Sequence, residues 1–346
     1  LFPYTTLFRS IMIQYHPEFM IGADPEVFVT SKGKLVSAHG LIPGDKRAPH
    51  KVPTGAIQVD GMALEFNIDP ISLSERGKSH FATRITSVLA SLYEYMKQSD
   101  PDADMLIEGS VVFDEEYYNT VVPESAKELG CDPDFNAWEG GAQNPAPEKG
   151  TPLRGAAGHI HIGWGEDIPV DHPDHIAMCC DFVKCLDFYL GLGTTLYETK
   201  EGMRRKEAYG KAGAFRPKTY GVEYRTPSNC WITNGSKKRF VFDLAAAAIS
   251  DMKRGDSAYW KRAVAPSSNV INVQAIINGD RNVSWCLNDP ILENIRNNHT
   301  IPPLEAQKLA AARVLSDWLL VPRASDGTGL FSHFYGQMYT KGSTRG

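Results

Sequence analysis

Four short stretches of this chain place ionisable side chains at the spacing of one strand face. Asp24 and Glu26 stand two apart in 20–30 (MIGADPEVFVT), and Glu65 lies in 55–68 (GAIQVDGMALEFNI). His159 and His161 stand two apart in 156–164 (AAGHIHIGW), as do Glu223 and Arg225 in 220–226 (YGVEYRT). Residues two apart on a strand point the same way. The alternate positions are mostly apolar: Ile21, Ala23, Val27 and Val29; Met62, Leu64 and Phe66; Ile160, Ile162 and Trp164; Val222 and Tyr224. If the four strands pair, Asp24, Glu26, Glu65, His159 and Glu223 line a single surface. Carboxylates gathered so closely repel one another and take up protons unless cations neutralise them. Oxygen ligands with one imidazole suit Mg²⁺ or Mn²⁺ better than zinc. Taken singly, each pair also reads as the wet face of an antiparallel strand, and Glu65 as a partner for a lysine such as Lys51. Four such strands together favour a site.

A basic segment, 203–218 (MRRKEAYGKAGAFRPK), leads into the last of these strands. It holds Arg204, Arg205, Lys206, Lys211, Arg216 and Lys218, interleaved with Gly210 and Gly213. Clustered charge is commonly a solvated run. Next to Glu223 and Arg225, a basic loop that brings guanidinium groups to phosphate is the sharper reading, because Arg binds phosphate oxygens in bidentate fashion.

The elements that must position these groups are legible as patterns. Phe81, Ile85, Val88, Leu89, Leu92 and Met96 recur at helical spacing and predict a helix within 74–98. Residues 104–113 predict a strand, and 114–153, rich in Pro and Gly, an irregular insertion that could close over the site. Asp171, His172 and Pro173 mark the start of a helix over 173–198; further helices are expected at 235–253 and, after Pro302 and Pro303, at 303–320. The expected fold is α+β: a largely antiparallel sheet with helices on one face and a concave site on the other. No G-x-G-x-x-G follows a strand and no G-x-x-x-x-G-K-[ST] occurs, which argues against Rossmann and P-loop nucleotide sites.

The 346 residues are 42% apolar and 22% charged with a formal charge of −5, which argues against a dedicated nucleic-acid surface. No apolar run approaches the roughly 20 residues of a membrane-spanning helix. The cysteines form no C-x-x-C pair, and Cys179, Cys180 and Cys185 crowd one predicted helix as small hydrophobes, so a reduced, cytoplasmic protein is expected. Leu1–Ser10 (LFPYTTLFRS) resembles a translated sequencing-library adapter and is set apart. One domain is expected over 11–323, followed by a polar tail over 324–346.

At these motifs the sequence resembles a known pattern. G-A-D-P-E, L-E-F-N, H-I-H-I-G, Y-G-K-A-G-A-F-R and G-V-E-Y-R, in this order over about residues 20–235, are similar to the carboxylate–amine ligase family of tailed phages. That family is related to glutamine synthetase and glutamate–cysteine ligase. The resemblance implies ATP, two Mg²⁺ or Mn²⁺ ions and an acyl-phosphate route to an amide, in a phage-encoded protein of the bacterial cytoplasm. It implies that Asp24, His159 and Glu223 hold one cation, and Glu26 and Glu65 the other, with water or Asn67 completing the second. His161, Arg204, Lys211, Arg216 and Arg225 are assigned to phosphate, and Arg216, Arg225 and Glu223 to catalysis. The expected partners are small-molecule or peptide carboxylates and amines, with a homo-oligomer open. Three rival readings stand beside this one. They are a guanidino-kinase-like phosphotransferase on the same sheet, a cupin-like metal enzyme using only H-x-H and a distant Glu, and a non-catalytic phage or host interaction protein.

Overall fold

The computed structural model describes residues 19–73, 76–127, 134–146, 150–165, 167–195, 197–265 and 267–279. Leu1–Ser10, the predicted helix at 303–320, the polar tail, Cys131 and Cys286 lie outside the described residues.

Fourteen strands are described: β1 (Met20–Ser31), β2 (Lys34–Val36), β3 (His50–Val52), β4 (Gly55–Asp60), β5 (Ala63–Ile68), β6 (Ile71–Ser72), β7 (Ala103–Leu106), β8 (Ser110–Val112), β9 (Phe135–Asn136), β10 (Ala142–Gln143), β11 (Leu153–Gly155), β12 (Gly158–Gly163), β13 (Ala214–Lys218) and β14 (Gly221–Tyr224). The main sheet runs β10-β9-β13-β14-β12-β1-β5-β4-β3, with β2, β6 and β7 also paired to β1. All of its strand pairs are antiparallel. The four strands expected to share one surface are therefore neighbours, in the order β14-β12-β1-β5.

The sheet is two-faced because each strand is. Ile21, Ala23, Val27 and Val29 are at most 2% exposed and join Ile160, Ile162, Leu64, Phe66, Val222 and Tyr224 in one core. Helix Gly77–Ser99 covers this face with Phe81, Ile85, Val88, Leu89, Leu92 and Met96, the stripe read from the sequence. Helices Pro173–Leu186 and Gly235–Met252 complete the layer. Met62 departs from its expected side. With Phe28, Ala63, Phe113 and Tyr118 it forms a second, smaller cluster.

Three local expectations are corrected. The helix expected over 173–198 ends at Leu186 and widens into a π-helical turn, Asp187–Gly191, followed by Leu192–Thr194. The wide turn sits where the buried Asp187 carboxylate accepts hydrogen bonds from Tyr224 and Trp138, each at 2.6 Å. The strand expected over 104–113 is two strands with a break at 107–109, because β7 pairs with β1 in the main sheet while β8 pairs with β11 in a separate two-stranded sheet. The insertion 114–153 contains two short helices, Glu115–Thr120 and Glu124–Lys127, and its strand β9 pairs with β13. It thus extends the main sheet.

Candidate active site

Strand register brings the predicted groups together. Asp24 lies opposite His159, Glu26 opposite Glu65, and Glu223 opposite both His161 and Arg216. Gly158 lets β12 start close to its neighbours: a Cβ there would lie 2.2 Å from the indole nitrogen of Trp231. The strands wall a cavity of about 650 Å³ lined by Asp24, Glu26, Glu65, His159, Glu223 and, among others, His161, Arg216 and Arg225.

Two three-donor groups stand on this surface, each with one ligand atom per residue within 4.8 Å of the others: Asp24, His159 and Glu223, and Glu26, Asp60 and Glu65. The first is the set expected from the sequence. The second gains Asp60, which lies outside the alternating positions of the four strands. Asp60 ends β4 opposite Ala63, so the tight β4–β5 hairpin turns it back beside Glu65. Its sign in the sequence is the Asp-Gly pair of 60–61, a turn signature that here also supplies an acid. Gln58 donates to Glu65 at 2.8 Å, and the backbone N–H of Ala157 donates to Glu26 at 2.8 Å.

Electrostatics separate the two groups. Burial would raise the Asp24 carboxyl, but the charge of His161 and the hydrogen bonds and charge of His159 hold it well below the usual range. Burial would likewise raise Glu223, but Arg225, the two histidines and Lys218 hold it low. Burial, and then Arg225, push His159 down to about 4, so its imidazole is neutral at pH 7, as a metal ligand must be. The second group lacks such support. Burial and the charge of Asp60 push Glu26 up to about 7; burial and the charges of Asp24, Glu26 and Asp60 push Glu65 well above its ordinary value.

The residues fit divalent cations. A neutral buried imidazole with two ionised carboxylates forms one donor set, and three carboxylates that cannot all ionise unaided form another. His159 Nε2 is buried and has no hydrogen-bond partner among the described residues.

Around these groups lie the anion-binding candidates. His161 Nε2 lies 2.9 Å from Asp24 Oδ1, and its Nδ1 shares a 2.7 Å hydrogen bond with the hydroxyl of Tyr220. Arg225 is buried, with Nε 2.5 Å from Asp134 and Nη1 on Glu223. Arg216 lines the cavity. Two further cations missing from the expected set do so as well: Lys218, whose Nζ lies 2.6 Å from Glu223, and Lys46, whose Nζ lies 2.8 Å from Asp60. Asp134, on the insertion, was also missed; nothing in its local sequence marks it.

The basic segment divides. Arg204 and Lys211, expected at the phosphates, are exposed and do not line the cavity. The short helix Lys200–Arg205 and the turn after it disperse charges that are adjacent in sequence. Arg205 and Lys206 turn inward instead: Arg205 donates to the carbonyls of Arg225 and Thr226, and Lys206 to those of Gly210 and Thr226. Gly210, at φ +71°, fits beneath the Arg205 guanidinium, where a Cβ would collide. These two cations fix the backbone that carries Arg225. Cys179, Cys180 and Cys185 are buried in the helical layer, where they pack as small hydrophobes.

Residues 153–282 match the family described as phage phiEco32-like COOH.NH2 ligase-type 2. The match covers 130 of the 346 residues. Within the matched segment fall His159, His161, Arg216, Lys218, Glu223 and Arg225, while Asp24 and all three acids of the second group precede it. No curated protein matches the chain. Among solved structures, a bifunctional glutathione synthetase from Pasteurella multocida is similar at a TM-score of 0.40 and 11% identity, over 92% of this chain and 51% of that one. A glutamine synthase homolog is similar at a TM-score of 0.33 and 11% identity, over 97% and 75%. The chain thus spans about half the length of the synthetase. No described helix is long and apolar enough to cross a membrane.

Proposed function

We propose that the protein is an ATP-dependent ligase joining a carboxylate to an amine through an acyl phosphate. One observation carries this reading: two three-donor sets stand side by side on β1 and its neighbours, and Arg216 lies directly opposite Glu223 in the same cavity. Arrays of carboxylates with adjacent guanidinium groups suit a polyphosphate bound with divalent ions.

A carboxylate is a poor acyl donor because its charge is delocalised and its leaving group would be oxide. In the first step a carboxylate oxygen attacks the γ-phosphorus, the bond to the β,γ-bridging oxygen breaks, and ADP leaves. In the second the amine nitrogen attacks the acyl carbon and phosphate departs with the bonding pair. Cations held by Asp24, His159 and Glu223 and by Glu26, Asp60 and Glu65 would supply charge neutralisation at the phosphates. Arg216 and Lys218, on the cavity wall, stabilise charge on the transferring phosphoryl group, and Arg225 braces Glu223 from beneath. The proton that the attacking amine loses passes to water in the cavity or to a carboxylate oxygen there that holds no cation. Tyr220 holds the His161 ring at the rim.

The test is ADP and phosphate release with MgCl₂ and mixed pools of carboxylic acids and amines, with mass detection of a new amide. Release that needs both pools supports the ligase. Release with an amine or guanidine alone, leaving a phosphorylated acceptor, would assign a phosphotransferase instead, and absence of ATP binding would exclude both.

A further inference from the structure

Each three-donor group is contacted by one lysine ammonium. Lys218, on β13, reaches across to Glu223 at 2.6 Å, and Lys46, on the loop before β3, reaches Asp60 at 2.8 Å. Both lysines line the cavity, and both are partly exposed where their carboxylate partners are largely buried: 32% against 2% for the first pair, 41% against 14% for the second. The Lys46 loop is firmly built. Asp45 accepts hydrogen bonds from the backbone N–H groups of Arg47 and Ala48, and Asp45 bridges to Val59 of β4.

From this arrangement we infer that Lys46 and Lys218 are exchangeable counter-ions, one for each cation site, displaced when divalent ions load. The inference rests on the two-cation reading above. A carboxylate oxygen that coordinates a divalent ion gives up much of its attraction for an ammonium, and ion and ammonium repel at this range. Each lysine side chain is partly exposed and so has room to move, unlike that of Arg225, which is buried and paired with Asp134. Displacement frees one positive charge per site at the cavity wall. Loading two divalent ions therefore raises the cavity's affinity for a polyphosphate or carboxylate beyond the effect of the ions themselves, and cations bind before anions.

The experiment is Mn²⁺ titration of the full chain at low ionic strength, with free ion followed by electron paramagnetic resonance. It compares wild type with Lys46→Met and Lys218→Met, using Lys46→Gln and Lys218→Gln as second variants if either fails to fold. Asp60→Asn and Glu223→Gln mark which binding class belongs to which set. Removing a unit charge about 5 Å from a divalent ion predicts tighter binding on the order of tenfold. The Lys46 variant tightens the class that Asp60→Asn removes, and the Lys218 variant the class that Glu223→Gln removes. Added NaCl narrows both gaps. Unchanged or weaker Mn²⁺ binding in a lysine variant overturns the exchange at that site while leaving the two-cation reading intact. A wild-type protein that binds no Mn²⁺ overturns both.

Discussion

Glu26 and Glu65 face each other directly across the β1–β5 pair, two acids at a register position where like charges destabilise a sheet. Asp60 adds a third carboxylate within ligand distance. A fold that served only itself would place an apolar or opposite-charge pair there, so the arrangement is best explained by a cation.

This relationship sets a pH dependence. Glu26 holds its proton in the folded state up to about 7, and Glu65 beyond its ordinary value, whereas the unfolded chain releases both near 4.5. These two carboxyls therefore bind more protons in the folded state, and their contribution to stability falls as pH rises, against an opposite contribution near pH 8 from the buried Lys206 and Lys238, both lowered to about 8. His161, raised mainly by Asp24 against its burial, acts in the same direction above 6.5. His159 acts oppositely, but its effect is complete by about 6.5. In EDTA, the thermal midpoint is expected to drop by a few degrees between about pH 6.5 and pH 8, and MgCl₂ to reverse the drop. A midpoint that stays flat or rises over that range in EDTA would argue that the acids are solvated.

Asp60→Asn keeps the size of the side chain but removes a charge. It should leave far-UV circular dichroism unchanged, raise the apparent Mg²⁺ requirement at least about tenfold and lower turnover by a similar factor. Unaltered Mg²⁺ dependence would return Asp60 to the role of a hairpin residue paired with Lys46.

Arg204→Ala and Lys211→Ala should leave the KM for ATP within about twofold of wild type, since both side chains lie off the cavity. Arg216→Ala should raise that KM or lower kcat by about one to two orders of magnitude. Steady-state kinetics on the three variants separates a cavity arginine from a solvated run; equal losses in all three would restore the whole basic segment to phosphate binding.

Asp134→Ala removes one of two carboxylate partners of the buried Arg225 guanidinium and should cost on the order of 1–3 kcal/mol in urea denaturation, the usual effect of leaving a buried donor unsatisfied. A loss below about 0.5 kcal/mol would mean that Glu223 alone satisfies Arg225.

How far the sequence revealed all this depended on whether a group sits in a regular period. Asp24, Glu26, Glu65, His159 and Glu223 alternate with core residues, so alternation put each on the polar face of its strand, and the pairing of the strands joins those faces into one surface. The stripe from Phe81 to Met96 was equally plain. Asp60 was hidden because its place depends on a hairpin that folds the end of β4 back along β5, not on alternation. Lys46 and Asp134 reach the site from a loop and from the insertion, where no period operates. The basic segment misled in part because adjacency in sequence is not adjacency around a helical turn. Arg204 faces solvent, while Arg205, next to it, hydrogen-bonds the carbonyl of Arg225. Asp187, whose carboxyl burial pushes up to about 6, read as an ordinary helix residue because its partners Trp138 and Tyr224 come from distant segments.

Activation of a carboxylate by phosphorylation carries one of its oxygens into the released phosphate. With an active acid and amine pair identified, the acid is supplied with both carboxylate oxygens as ¹⁸O, and the released phosphate is analysed by mass spectrometry. One ¹⁸O is expected in each phosphate, the other in the amide, with one ADP per amide formed. Unlabelled phosphate with both ¹⁸O atoms left in the acid, or AMP in place of ADP, would contradict it.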